Sequence, residues 1–140
     1  MRAECVAGQA AGGLDLRRRG ARASAERILA RSQYLPREER WLVHAVFEDG
    51  WTIRRLAELC GTHPRMMSKR LARIVARAQS PEFGFVALRL KSWGKTRRAV
   101  GRLCVLEGLS QREAARRLGL SVHVVRRHFL AIRGMIEELG

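Results

Sequence analysis

Residues 50–74 read GWTIRRLAELCGTHPRMMSKRLARI, and residues 108–132 read GLSQREAARRLGLSVHVVRRHFLAI. The second stretch begins 108 − 50 = 58 residues after the first and aligns with it without a gap. Gly50/Gly108, Arg54/Arg112, Ala57/Ala115, Gly61/Gly119 and Ile74/Ile132 are identical, and most apolar positions match apolar positions. Each copy reads as a short helix, a glycine turn and a longer basic helix. Thr52 and Ser110 are good N-caps for the short helices, and Ser110-Gln-Arg-Glu113 has the form of a capping box that satisfies two orphan donors reciprocally. The small Ala57 and Ala115 let another helix cross closely. Gly61 and Gly119 stand where a helix ends with positive φ, a conformation only glycine adopts cheaply. The longer helices start at Pro64 and Val122, the second behind the N-cap Ser121. Met67, Leu71, Ile74 and Ala78 recur at helical spacing, and Val125, Phe129, Ile132 and Ile136 repeat the pattern, so each helix buries one stripe and leaves the rest polar.

The pattern is that of a helix-turn-helix, present twice. Outside the repeat, residues 1–15 are rich in Ala and Gly and are expected to be disordered. A helix is expected over 16–35. Pro36 is expected at the first position of a further helix that runs to about Glu48, has Glu38 and Glu39 in its first turn and buries Leu42, Ala45 and Val46. Between the copies, SPEFGFVALRLKSWGKT (80–96) is too apolar for a flexible connection. Ser80-Pro81-Glu82 starts a helix there whose face is Phe83, Val86, Leu90 and Trp93, expected to link one unit to the next, with a domain swap or dimer contact as the competing role. No Val/Ile/Thr alternation follows either copy, so no β-wing is expected. The expected fold is all-α: two tandem tri-helical helix-turn-helix units, 36–79 and 96–140, joined by a linker helix over 80–95.

Composition narrows the function. Lys plus Arg number 28 against 13 acids, a formal charge of +15 spread over every quarter of the 140 residues. That balance favours a polyanion, either nucleic acid or an anionic membrane surface. The acids avoid two segments. None occurs from Leu59 to Pro81, which carries Arg65, Lys69, Arg70, Arg73 and Arg77. None occurs from Ala114 to Ile136, which carries Arg116, Arg117, Arg126, Arg127 and Arg133. Solvated helices ordinarily mix the signs to gain i,i+4 pairs; two helices in register that exclude carboxylates suit a surrounding of phosphates.

Cys5, Cys60 and Cys104 have no CxxC spacing, so neither a metal site nor a disulfide framework is expected. Cys60 and Cys104 fall on apolar helix positions and are expected to be buried thiols. His63 and His123 have no partner at ligand spacing and read as helix-start residues. Trp51, Met66 and Met67 read as packing residues. Phe83, Phe85 and Trp93 could stack single-stranded bases, but their helical spacing favours a core role. No apolar run has the form of a signal peptide or the length of a membrane span. A soluble cytoplasmic, nucleoid-associated protein without cofactor is expected.

The chain resembles the helix-turn-helix of sigma-70 region 4 and related bacterial regulators. GLSQREAARRLGLSVHVVRRHF is the closer copy, with its Gly-Leu-Ser start, Glu113-Ala-Ala, Gly119, Ser121 and a basic run before an apolar residue. GWTIRRLAELCGTHPRMMSKRL is similar but diverged, with His63 in place of the family's Ser or Thr and Arg55 in place of Glu113. The resemblance covers about half the chain, and no stretch resembles the sigma segment that binds the −10 element. It implies that the third helix of each unit enters the major groove with its N-terminal half against base edges. Val122, His123, Arg126 and Arg127 would face the groove in the second copy, and Pro64, Arg65, Ser68 and Lys69 in the first. Ser121, His128, Thr52, Ser110 and Arg70 would contact phosphates, which position the protein without reading sequence.

Three function classes are open. The first is a sequence-specific binder of double-stranded DNA, a transcriptional regulator whose two heads, in a monomer or homodimer, cover neighbouring major-groove segments. The second is the DNA-binding part of a transposase or recombinase system. As an enzyme in its own right the chain fails: Tyr34 is the sole tyrosine, and Glu48 with Asp49 make no metal cluster. The third is a module docking on RNA polymerase or another protein, against which the acid-free helices argue as a sole role. Duplex RNA is disfavoured because its deep major groove does not admit a helix.

Overall fold

The computed structural model describes residues 11–139, with side-chain environments from residue 20. Among the described residues every regular element is helical: α1 (Ala11–Arg31), α2 (Arg37–Phe47), α3 (Ile53–Cys60), α4 (Pro64–Gln79), α5 (Pro81–Arg89), α6 (Lys95–Val100), α7 (Gln111–Leu118) and α8 (Val122–Leu139). Single 3-10 turns follow α1 (Ser32–Tyr34) and α5 (Leu90–Ser92), and α6 continues into a π-helical turn, Gly101–Leu106. The fold is all-α. The chain divides into two compact units, Met1–Val75 and Ala76–Gly140, with the division inside α4.

The 58-residue offset extends further back than sequence identity suggests. Leu35 N–H donates to Ser32 O and Trp93 N–H to Leu90 O, closing the two 3-10 turns. Trp51 N–H reaches Ala45 O at 2.9 Å, and Leu109 N–H reaches Leu103 O at 2.9 Å. Thr62 N–H donates to Ala57 O and Leu120 N–H to Ala115 O. Each pair is 58 positions apart. Yet between residues 20–49 and 78–107 only Arg31/Arg89 and Arg40/Arg98 are identical. Each unit therefore contains a helix, a 3-10 turn and a second helix ahead of its short helix, glycine turn and longer basic helix, rather than three helices.

This corrects the role expected of the segment 80–95. α5 forms as anticipated, with the Ser80 hydroxyl accepting from Phe83 N–H at 3.1 Å. It does not bridge two units. It packs on the π-helical turn and on α8 within the second unit, and Phe83 and Val86 are fully buried there. The segment expected over 16–35 stands in the corresponding place in the first unit, where α1 packs on α2 and Ile28, the counterpart of Val86, is buried. α1 begins at Ala11, so residues 11–15 are helical; the rest of the expected disordered segment, residues 1–10, lies outside the described residues, as does Cys5.

Packing in the two units follows one plan. Leu56 and Ala57 on α3, with Met67, Leu71 and Ile74 on α4, close the first core; Ala114 and Ala115 on α7, with Val125 and Ile132 on α8, close the second. Each fully buried large aliphatic chain contributes about 1.5–3 kcal/mol relative to exposure. At one site the plan is kept by exchanging volume. Leu35 and Val43, both buried in the first unit, correspond to Trp93 and Gly101 in the second. A Cβ placed on Gly101 would meet the Trp93 ring at 3.0 Å, Val86 at 3.3 Å and Ile132 at 3.5 Å. The indole thus occupies the space a side chain at 101 would need.

Gly50, Gly61, Gly108 and Gly119 all have positive φ, again in pairs 58 apart. At Gly108 a side chain is doubly excluded: φ is +74°, and a Cβ would lie 2.7 Å from the Arg77 guanidinium. That guanidinium is itself anchored, Nε–H donating to Leu106 O at 3.0 Å.

Several local expectations shift. Pro36 is the N-cap of α2, one residue earlier than expected, with ψ 153° and its carbonyl accepting from Arg40 N–H. Val43 rather than Val46 joins Leu42 and Ala45 in the core, Val46 being half-buried. Cys60 is exposed and Cys104 half-buried, not the pair of buried thiols expected. Cys60 ends α3, beyond the part of the helix that Leu56 and Ala57 hold against the core. Partial burial pushes the Cys104 thiol above its ordinary pKa. Phe129 and Ile136 lie on the expected stripe of α8 but are only half-buried.

Candidate nucleic-acid interface

α4 and α8 present the candidate side chains, and their starts differ in chemistry. Ser121 caps α8, its hydroxyl accepting from Val124 N–H at 3.2 Å. Its counterpart His63 also caps, by a different route: Nδ1 accepts from Arg65 N–H at 3.1 Å. The diverged residue therefore still satisfies one orphan donor of the helix. Thr52 and Ser110 cap α3 and α7 through Arg55 N–H (3.2 Å) and Glu113 N–H (3.1 Å). Only half of the expected capping box forms, because the Glu113 carboxylate turns to Arg116 at 3.3 Å. All four cap residues are exposed. The Ser and Thr hydroxyls, accepting from the backbone, retain an O–H to donate outward.

Behind the caps, burial of Met67 and Val125 turns the neighbouring positions outward. Arg65, Ser68, Lys69, His123, Arg126 and Arg127 are exposed; Pro64 and Val122, the first residues of their helices, are half-buried. Among the described residues no carboxylate pairs with Arg65, Lys69, Arg126 or Arg127. Their guanidinium and ammonium donors face solvent, the arrangement required to meet phosphate oxygens or guanine edges. Arg116 and Arg117 differ, pairing with Glu113 and, at 3.9 Å, with Glu107.

The last positions of the two sets diverge. Arg70 in the first unit pairs with Glu38 at 3.4 Å. Such an exposed pair contributes about 0–1 kcal/mol, so Arg70 stays recruitable but starts compensated. Its counterpart His128 is half-buried, and Arg97 Nε–H donates to His128 Nδ1 at 3.4 Å. That bond leaves the proton of the neutral ring on Nε2. Burial, then the charges of Arg97 and Arg127, hold the His128 pKa below the ordinary value of 6.5. Gly94, Lys95, Thr96, Arg97 and His128 line an open cleft of ≈ 370 Å³. Lys95, Thr96 and Arg97 are not singled out by motif or acid-free run. The signal that points to them is the offset itself, which sets Thr96-Arg97 where the first unit has Glu38-Glu39.

The lowered pKa fixes a pH dependence. The unfolded chain takes up a proton on His128 near the ordinary value while the folded ring resists it. The stability contributed by the neutral ring is complete above that value and falls as pH drops through it towards the lowered folded value. Urea midpoints followed from pH 8 to 5 should therefore fall more for the wild type than for His128→Gln; parallel curves would contradict the assignment.

The aromatic groups pack largely as expected. Trp51 meets Trp41 edge-on at 6.2 Å, and the Arg55 guanidinium lies 5.2 Å over the Trp51 ring. Phe85 lies 6.2 Å from Trp93, under Arg89 at 5.3 Å. With Phe83 fully buried, the three residues offer no common stacking platform. His63 and His123 belong to no group of three or more metal-ligating side chains among the described residues. Nor is any helix there long and apolar enough to cross a membrane. No protein-family model, no curated protein and no solved structure matches this chain.

Proposed function

We propose that the protein binds double-stranded DNA sequence-specifically as a transcriptional regulator, placing the N-terminal halves of α4 and α8 in the major groove. One observation carries the reading: twice, 58 residues apart, a helix buries one apolar stripe and exposes, at its N-terminal half, arginines or lysines (Arg65, Lys69; Arg126, Arg127) with no carboxylate partner among the described residues. The resemblance of residues 108–129 to sigma-70 region 4 supports it independently. Arg126 and Arg127 are the base-reading candidates of the second unit. Arg65, Ser68 and Lys69 take the same positions in the first. Thr52, Ser110 and Ser121 hold the flanking phosphates.

The test is selection from a random duplex library near physiological salt, with wild type and Arg126→Ala/Arg127→Ala. The wild type should enrich two separated half-sites, and the variant should blur one of them, each lost bidentate base contact costing about 1–3 kcal/mol. Where an arginine meets a phosphate instead, the slope of log K against log salt should flatten by about 1 per residue. Binding that fades with salt and enriches no motif would overturn sequence-specific recognition and favour docking on a protein such as RNA polymerase.

A further inference from the structure

The two units share hydrogen-bonded turns at the 58-residue offset, yet one pair of corresponding clusters has opposite chemistry. In the first unit Pro36, Arg37, Glu38 and Glu39 open α2, and Arg70 of α4 reaches back to Glu38 at 3.4 Å. In the second, each of these residues is replaced at the constant offset: Gly94, Lys95, Thr96 and Arg97 open α6, and His128 of α8 reaches back to Arg97 at 3.4 Å. Two carboxylates and an arginine have become a hydroxyl, an arginine and an imidazole. These second-unit residues line the open cleft of ≈ 370 Å³, and none of them is acidic.

We infer that the cleft formed by Lys95, Thr96, Arg97 and His128 is a binding site for a tetrahedral phosphate, and that the first unit lacks its equivalent. Lys95 supplies an ammonium and Arg97 a guanidinium whose Nε is spent on His128 while its terminal nitrogens remain. Thr96 supplies a hydroxyl. His128, with Nδ1 occupied, keeps an N–H donor on Nε2, which suits the neutral ring to an anion without requiring it to be charged. A carboxylate at 96 or 97, as at 38 and 39, would fill this arrangement from within. His128 feels this imbalance: burial first, and then the neighbouring Arg97 and Arg127, oppose its protonation. An anion seated between Lys95 and Arg97 would offset the charge part of that opposition.

The site extends the proposed function and rests on it for the source of the phosphate, a diester of the duplex backbone; free inorganic phosphate offers the same oxyanion. It gives the second unit a hold on phosphate outside the row Ser121–Arg127, so the two heads would grip unequally.

The test uses the full chain, with the His128 ring and Arg97 Nε resonances followed by NMR as inorganic phosphate replaces chloride at constant ionic strength. A short DNA duplex is added in a second arm. Saturable movement of both resonances, with His128 titrating at higher pH when phosphate is bound, is the expected result. T96E/R97E, which installs the first unit's residues, should weaken phosphate binding by about tenfold or more. Should that variant fail to fold, Lys95→Gln and Arg97→Gln singly should each weaken binding by roughly threefold or more, as loss of one charge-assisted contact predicts. Resonances that stay still under both phosphate and duplex overturn the inference, as does phosphate binding unchanged in T96E/R97E. The fates of the two proposals separate cleanly. Duplex binding through Arg126 and Arg127 without movement at His128 would remove the cleft and leave the DNA reading intact. Phosphate binding in the cleft of a chain that ignores every duplex would keep the cleft and remove the DNA reading.

Discussion

Phe83→Ala should lower the stability of the second unit by about 3–5 kcal/mol, as expected for truncating a fully buried aromatic. Phe83 is fully buried in α5, and α5 packs on the π-helical turn and α8. The substitution removes most of the side chain from a site the close-packed surroundings can only partly refill. Hydrogen exchange at the backbone amides of α6, α7 and α8 is the decisive measurement. Their protection should collapse, while that of Leu42, Val43 and Leu56 in the first unit should change little. A linker helix would behave otherwise: its loss would leave α8 protected. Unchanged exchange in α8 would return α5 to the role its position between the repeats suggests. Because α8 carries Arg126, Arg127 and His128, the variant should also weaken duplex binding without touching a DNA-facing residue.

Gly101→Val, which restores the residue of the first unit, should destabilise the second unit by about 1–3 kcal/mol through overpacking. The cause is the Trp93 ring, 3.0 Å from where a Cβ would stand, with Val86 and Ile132 behind it. Trp93→Leu alone should also destabilise, for the opposite reason, by opening a void over Gly101. Combined, the two substitutions recreate the Leu35/Val43 pair and should cost less than their sum. A coupling of about 0.5–3 kcal/mol is expected for residues sharing one space. A double-mutant cycle on urea midpoints measures it, and strict additivity would show that the two sites do not exchange volume.

Much of the local structure was legible because local chemistry decides it. Ser110 and Thr52 cap helices by hydrogen bonds three residues long, and Gly61 and Gly119 end them by a backbone conformation other residues resist. The stripe of Met67, Leu71 and Ile74 needs only helical spacing to reveal itself. The first helix of each unit was legible as a helix, but not that the two helices hold the same place in their units. Ile28 and Val86 play one role, but Leu35/Val43 became Trp93/Gly101, so conserved volume was spread over residues that share no identity. Cys60 misled because its spacing from Leu56 fits a buried face, while the core contact of α3 ends before the helix does.

The candidate site divides in the same way. Exposed, acid-free arginines on α4 and α8 could be found from charge pattern alone, since burial of one helix face dictates which residues point out. That Arg70 begins paired with Glu38, and that His128 looks back to Arg97, depends on contacts between residues about thirty positions apart, which no spacing rule along one helix contains. From sequence alone came the all-helical fold, the doubled glycine turns and the two basic helices, because each rests on interactions within a few residues. Tertiary structure alone decided that α5 belongs to the second core, that Arg70 pairs with Glu38 at the start of α2, and that its counterpart His128 meets Arg97 rather than a carboxylate. All depend on how distant helices pack, and packing responds to summed volume and charge rather than to the identity of any one residue.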